Sequence, residues 1–205
     1  MAENTAHNLV DIALDHARIL PFYHQECGDN MLIAGGCCTR VYYNHPALGE
    51  SDIDMYCNAQ YKQFLGEQLH ESGFVLSRYN PQVSTFTDAL NKYTFQLIEF
   101  PPHYQWNEPG TNCNAVMEEF DLSACKLIYM YGKIIPADES VAKTLAEKKL
   151  RVSNTTTNTF NRIVKYMSRY QLSLDLEDPD TVQVHMLMRQ HLLSTFPPEK
   201  ESYGI

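Results

Sequence analysis

Met31-Leu32-Ile33-Ala34-Gly35-Gly36-Cys37-Cys38-Thr39-Arg40, followed a dozen residues later by Ser51-Asp52-Ile53-Asp54-Met55-Tyr56, is the stretch that decides the fold. Met31 to Ala34 is a short apolar run of the kind a buried strand needs. Gly35-Gly36 ends it in a sharp turn where backbone can come close to another group. Ile53 to Tyr56 reads as a second strand. Because side chains alternate across a strand, Asp52 and Asp54 point to one face. Two carboxylates side by side repel each other, and a cation between them relieves the cost. Magnesium suits such a place, since it takes oxygen ligands and leaves room for phosphate oxygens. Absent side chains at Gly35 and Gly36 let backbone N–H groups approach phosphate, and a helix starting there would aim its positive end the same way. Arg40, one turn further, is a candidate for a phosphate oxygen.

Outward from this segment the chain alternates strand and helix signals, which predicts an α/β (α+β) protein: a mixed sheet flanked by helices, with a C-terminal helical portion. Leu9, Ile12, Ala13, His16, Ile19 and Leu20 recur at helical spacing, giving an amphipathic helix from about 5 to 20 closed by Pro21, with His16 on its apolar side. A helix is expected over 59–71, ended by Gly73, then a strand at Phe74-Val75-Leu76 and another from Thr94 to Phe100. Polar, proline and glycine residues make Pro102 to Asn114 a long loop. Asp121 to Tyr131 suits either a strand or a buried helix. Phe160, Ile163, Val164 and Met167 form a helical stripe, and Glu177-Asp178-Pro179-Asp180 starts a last helix carrying Val184, Leu187, Met188 and Leu192. The division expected is a core with its N-terminal helix over 1–135 and a helical, neck-like region over 136–205.

Composition narrows the function. The 205 residues can bury a core, and the six cysteines, without any Cys-x-x-Cys spacing, read as reduced thiols in or near that core. His24-x-x-Cys27 is the one metal-like spacing and lacks a second ligand pair. No run approaches the length needed to cross a bilayer, and Met1 to Asn8 are polar, so a cytoplasmic, unprocessed protein without a membrane partner is expected. With 16 basic against 25 acidic residues, a formal charge of −9, a general polynucleotide binder is disfavoured. Arg162, Lys165 and Arg169 nevertheless lie three and four residues apart, on one face of the predicted helix. That face either sits in solvent or closes over a triphosphate or base. Lys126 and Arg151 are lesser cationic candidates, and Asp88 and Asp138 look like loop residues.

The two quoted segments resemble the head of the polymerase-beta-like nucleotidyltransferases, on the side of the tRNA CCA-adding enzymes and bacterial poly(A) polymerases. Phe120-Asp121-Leu122-Ser123-Ala124-Cys125-Lys126-Leu127-Ile128-Tyr129 is similar to the stretch in which an Arg-Asp pair precedes a Phe-Thr-Ile-Asn-Ala run, with Glu119-Phe120 standing where that branch has arginine. Arg162-Ile163-x-Lys165-Tyr166-x-x-Arg169-Tyr170 resembles its arginine-bearing neck helix. The likeness spans roughly 31–170, and the chain ends without the long helical body that grips tRNA, as in small phage-type or toxin-like members. It implies that Asp52 and Asp54 bind catalytic Mg2+, that Gly35, Gly36, Arg40, Arg162, Lys165 and Arg169 hold the nucleoside triphosphate (ATP or CTP), and that Asp121 is a third metal carboxylate or an orienting residue, with Glu99 competing for that role. The acceptor would be an RNA or tRNA 3′ end or a protein hydroxyl. The reading from a different class is a catalytically silent module that binds nucleotide or a partner as an inhibitor or sensor.

Overall fold

A computed structural model describes residues 9–28, 30–45, 52–90, 92–100, 111–153, 155–156 and 158–195. The expected helical residues before Leu9, Ser51, the loop over 102–110 and the side chain of Leu192 lie outside that set. Among the described residues, seven strands form one mixed sheet in the order β3-β4-β5-β2-β1-β6-β7. These are β1 (Met31–Ala34), β2 (Ile53–Cys57), β3 (Val75–Tyr79), β4 (Val83–Thr87), β5 (Thr94–Glu99), β6 (Leu127–Met130) and β7 (Lys133–Pro136). β1 runs antiparallel to both neighbours, β2 and β6, whereas β2 and β5 are parallel, joined through a helix and the β3–β4 hairpin.

Each face of the sheet has its own apolar layer. On one, Ile33, Ile53, Met55, Phe95, Leu97, Leu127 and Tyr129 pack with residues of α1 (Leu9–His16), α2 (Leu20–Glu26), α3 (Gly36–Tyr42) and α4 (Ala59–Glu71). On the other, Leu32, Ala34 and Ile128 meet Cys113, Val116 and Met117 of α5 (Thr111–Glu119). The 136–205 stretch contributes α6 (Glu139–Ala146), α7 (Thr159–Tyr170), α8 (Pro179–Thr195) and a two-stranded parallel ladder, β8 (Lys149–Leu150) with β9 (Ser173–Leu174). Its residues Val141, Ile163, Tyr166 and Val184 belong to the same buried cluster as the sheet.

Several local expectations change. Pro21 does not close the first helix: α1 ends at His16, Arg18 turns with φ 58°, and Pro21 stands in the first turn of α2, where a missing N–H costs nothing. His16 packs against the rings of Phe74 and Tyr93 beside Asp88. Thr111 to Asn114 are helical rather than loop, because Cys113, Val116 and Met117 at helical spacing find an apolar sheet face to cover. Asp121 to Tyr131 resolves into a 3-10 turn, Ser123–Cys125, followed by β6. On α7 the buried stripe is Thr159, Ile163, Tyr166 and Tyr170, and Val164 is 59% exposed. Tyrosine has an apolar body, so the stripe runs through residues that a purely aliphatic pattern passes over. In α8, Val184 is buried and Leu187 exposed. All six cysteines are buried and none is in a disulfide, and among the described residues no helix is long and apolar enough to cross a membrane.

Candidate active site

The sheet order sets three functional positions in one row. Ala34 of β1 lies opposite Asp54 of β2, and Asp54 is in register with Gln96 of β5. Asp54 therefore lies directly beside the point where β1 runs into Gly35. Gly35 has φ 87° and ψ −140°, a conformation closed to ordinary side chains, and lets the chain turn into α3 at Gly36. A Cβ at Gly35 would meet Asp54 Oδ2 at 3.5 Å and the Phe120 ring at 3.4 Å; one at Gly36 would meet the Tyr166 hydroxyl at 3.1 Å. The turn is pinned from behind: Gly35 N–H donates to the Leu127 carbonyl (3.2 Å), and the Thr39 hydroxyl lies 3.2 Å from the Gly35 carbonyl and 2.5 Å from that of Ala124.

Around this row is a cavity of about 170 Å³ lined by Gly36, Asp52, Asp54, Phe120, Arg162, Lys165, Tyr166, Arg169 and Tyr170. The two aspartates thus face the three cations of α7. Burial first, and the neighbouring Asp52 second, push the Asp54 carboxyl up to about 7, while Arg162 pulls it back. The Gln96 amide donates to Asp52 Oδ2 at 2.5 Å. A carboxylate held partly protonated by its neighbour and by dehydration is a place where a cation gains most.

Arg162 is fixed from below. Its Nη1 lies 2.5 Å from Oδ1 of the buried Asp121, an ion pair rather than a well-angled hydrogen bond, and its Nη2 donates to Cys125 Sγ at 3.1 Å. The Thr159 hydroxyl donates to Asp121 Oδ2 at 2.9 Å. Burial raises the Cys125 thiol to about 11, so it stays protonated and donates to the Tyr166 hydroxyl at 3.2 Å.

The expected residues divide accordingly. Asp52, Asp54, Gly36, Arg162, Lys165 and Arg169 come together in one cavity, with Gly35 directly behind Asp54. Asp121 does not join the carboxylates: it is buried beneath Arg162 and orients it. Glu99 is excluded by register, since it pairs with Cys57 at the far end of β2 and meets Lys62. Arg40 is fully buried in the last turn of α3, one turn past the Gly36 end, where a cation instead meets the carbonyl end of the helix. Arg151 is held by the buried Asp175 at 2.7 Å, and Lys126 borders a different hollow with Asn114 and Glu118. Gln96, Tyr166 and Phe120 escape a reading of the sequence. For Gln96 a signal exists, since Thr94, Gln96 and Ile98 alternate with the buried Phe95 and Leu97.

Magnesium can be tested against these donors. Among the described residues no group of three His, Cys, Asp or Glu side chains is close enough to hold a metal. Asp52 and Asp54 supply two carboxylates, which fits an ion that completes its shell with substrate phosphates and water, and does not fit an all-protein cage.

The mixed sheet, the glycine turn and the carboxylates on the adjacent strand give this chain the nucleotidyltransferase fold, and the resemblance to polymerase-beta-like nucleotidyltransferases is one of three-dimensional structure. Solved structures of CCA-adding enzymes match it over most of its length. The Thermotoga maritima enzyme complexed with tRNA has a TM-score of 0.63 at 12% identity, over 90% of this chain and 44% of that one. A CCA-adding enzyme with ATP gives 0.63 at 13% identity over 92% and 46%, and one with CTP gives 0.61 at 11% over 91% and 46%. The chain spans less than half the length of these enzymes. No family model matches it, and neither does any curated protein.

Proposed function

We propose that this chain is a metal-dependent nucleotidyltransferase that moves a nucleoside monophosphate from a nucleoside triphosphate to the 3′ end of an RNA. The observation that carries this reading is the convergence of Asp52, Asp54 and the Gly36 turn with Arg162, Lys165 and Arg169 on one cavity. The structural neighbours support it: they are complexed with CTP, ATP and tRNA.

In the reaction the acceptor oxygen forms a bond to the α-phosphorus, the bond to the bridging oxygen breaks, pyrophosphate leaves, and the hydroxyl proton passes to solvent. Mg2+ held by Asp52 and Asp54 would offset charge on the reacting phosphoryl group. The first-turn N–H groups of α3, beginning at Gly36, have no helical partner and face the triphosphate. Arg162, locked by Asp121 and Cys125, presents a fixed cation opposite the carboxylates. Gln96 holds Asp52 in place. Tyr166 closes the space over Gly36. The region over 136–205 acts as the neck, its helix α7 forming the basic wall.

The test is incubation with each labelled triphosphate, Mg2+ and total RNA and protein from a cell extract, with Asp54→Ala as control. Label is expected at RNA 3′ ends and absent with the variant. Label in protein would replace the acceptor. Nucleotide binding with no transfer to either would favour the silent module.

A further inference from the structure

A second hollow, of about 340 Å³, is lined by Asn114, Met117 and Glu118 of α5, by Lys126, and by Ala137 and Asp138 ahead of α6. It lies on the same face of the sheet as the carboxylates. Helix α5 packs on Ala34 and Ile128, whereas Ile53 and Met55, the residues flanking Asp54, are buried in the opposite layer. The ladders give its distance from the carboxylates. Ala34 pairs with Asp54 on one side and with Ile128 on the other, so β6 is two strand spacings from Asp54, about 10 Å. Gly35 N–H donates to the Leu127 carbonyl at 3.2 Å, which puts Lys126 one residue from a contact with the glycine turn. Phe120 lines the first cavity and Glu118, two residues before it, lines the second, a separation of at most about 7 Å along the chain. The end of α5 is the partition between them.

The two hollows differ in charge. Among the described lining residues, the first sets Arg162, Lys165 and Arg169 against two carboxylates, and the second sets Lys126 alone against Glu118 and Asp138. A triphosphate, with several negative charges, is repelled by the second. A phosphodiester carries a single charge, which one lysine offsets, and the ribose beside it brings hydroxyl donors for which carboxylates are the matching acceptors. Asn114 both donates and accepts. The second hollow therefore suits a nucleoside on a phosphodiester and rejects a second triphosphate.

Resting on the transferase reading above, we infer that this hollow is the acceptor subsite and holds the last nucleotide of the RNA 3′ end. Lys126 meets the 5′-phosphate of that nucleotide, and Glu118 and Asp138 accept from the donors of its nucleoside. The 3′-oxygen then passes the end of α5 to reach Asp52 and Asp54. One extended nucleotide bridges the distance from β6 to Asp54. Lys126 thus stands across the carboxylates from the basic wall of α7, and the acceptor enters on the side away from that helix.

The experiment titrates the full chain with a 5′-labelled single-stranded RNA hexamer ending in a 3′-deoxy residue, followed by fluorescence anisotropy across a salt series. Inorganic tripolyphosphate with Mg2+ is titrated in parallel by calorimetry. Lys126→Gln is expected to weaken the hexamer about five- to tenfold and to flatten its log–log salt slope by about 0.7, one phosphate contact on a single strand, with tripolyphosphate affinity little changed. Lys126→Arg should restore both affinity and slope. Unchanged hexamer affinity and slope in a folded Lys126→Gln protein would overturn the subsite while leaving the transferase reading intact. Equal weakening of the hexamer and of tripolyphosphate would assign Lys126 to the triphosphate and overturn the subsite as well. A parent protein that binds tripolyphosphate and no RNA hexamer would end the RNA reading and the subsite together.

Discussion

The two walls of the cavity are built by opposite means. The acidic wall lies on three strands whose ladders fix it: Ala34 of β1, Asp54 of β2 and Gln96 of β5 stand in one register row, with Gly35 directly after Ala34. The basic wall lies on a helix, and its best-fixed cation is held by a buried side-chain network, Asp121, Thr159 and Cys125 beneath Arg162. Backbone ladders tolerate the loss of a side chain; a buried ion pair does not. Damage to the first wall should therefore remove chemistry and spare the fold, whereas damage beneath the second should cost both.

The largest effect expected is from Asp52→Ala or Asp54→Ala, which should lower transfer by about 10²–10³-fold or more with the fold intact. For Asp54 the sign can be worked out. Its folded value of about 7 lies above the unfolded 3.8, so the folded state holds the extra proton, and rising pH between those values erodes stability. Asp54→Asn should remove that slope and melt higher than the parent at pH 8 in metal-free buffer. A steeper loss of stability with pH in the variant would contradict the assignment.

Asp121→Ala comes next. It leaves Arg162 without its buried partner and should cost about 2 kcal/mol, below the full figure for a buried pair because Arg162 keeps about a third of its side chain in water. Urea denaturation reads the stability and triphosphate titration the binding, and both should fall. Loss of binding without loss of stability would mean that Asp121 faces the ligand itself.

The glycines separate geometry from access. Gly35→Ala forces a methyl onto φ 87° against Asp54 and Phe120, and should destabilise by about 1–3 kcal/mol. Gly36→Ala is helical and meets only the Tyr166 hydroxyl, so its stability cost should be smaller and its effect on triphosphate affinity the larger of its two consequences. Equal binding by a folded Gly36→Ala protein would remove the phosphate turn.

Gln96 sharpens the contrast further. Gln96→Ala should weaken Mn2+ binding a fewfold by freeing Asp52, and Gln96→Glu should strengthen Mn2+ binding in the absence of nucleotide by adding a third carboxylate in register. Unchanged metal affinity in both would leave the amide without a positioning role. The smallest effect concerns the acceptor. Three basic residues already line the cavity proposed for the nucleotide, so RNA affinity should fall with salt along a log–log slope near −1 to −2, about two phosphate contacts on a single strand. A much steeper slope would point to a basic surface elsewhere.

Local chemistry makes the acidic wall legible in the sequence. A β-strand that ends in two glycines and a strand with aspartates at alternate positions carry their own geometry, because turn sterics and the two-residue strand repeat are properties of the chain itself. The spacing of Arg162, Lys165 and Arg169 on one helix face is legible for the same reason. Which face α7 buries is not, since Tyr166 and Tyr170 pack as apolar residues. Helix α5 is hidden as well, its apolar positions acquiring meaning only against Leu32, Ala34 and Ile128.

The sequence by itself therefore determined the glycine turn, the paired carboxylates, the cationic helix face and the α/β class, each set by residues close together in the chain. Only the tertiary structure decided that Arg40 is buried, that Asp121 holds Arg162 rather than joining the carboxylates, that Glu99 stands at the wrong end of its strand, and that Gln96 meets Asp52. Those outcomes depend on register and burial among segments far apart in the chain. Residues 54 and 96, or 121 and 162, become neighbours only when strands pair and helices pack, and no local spacing encodes that.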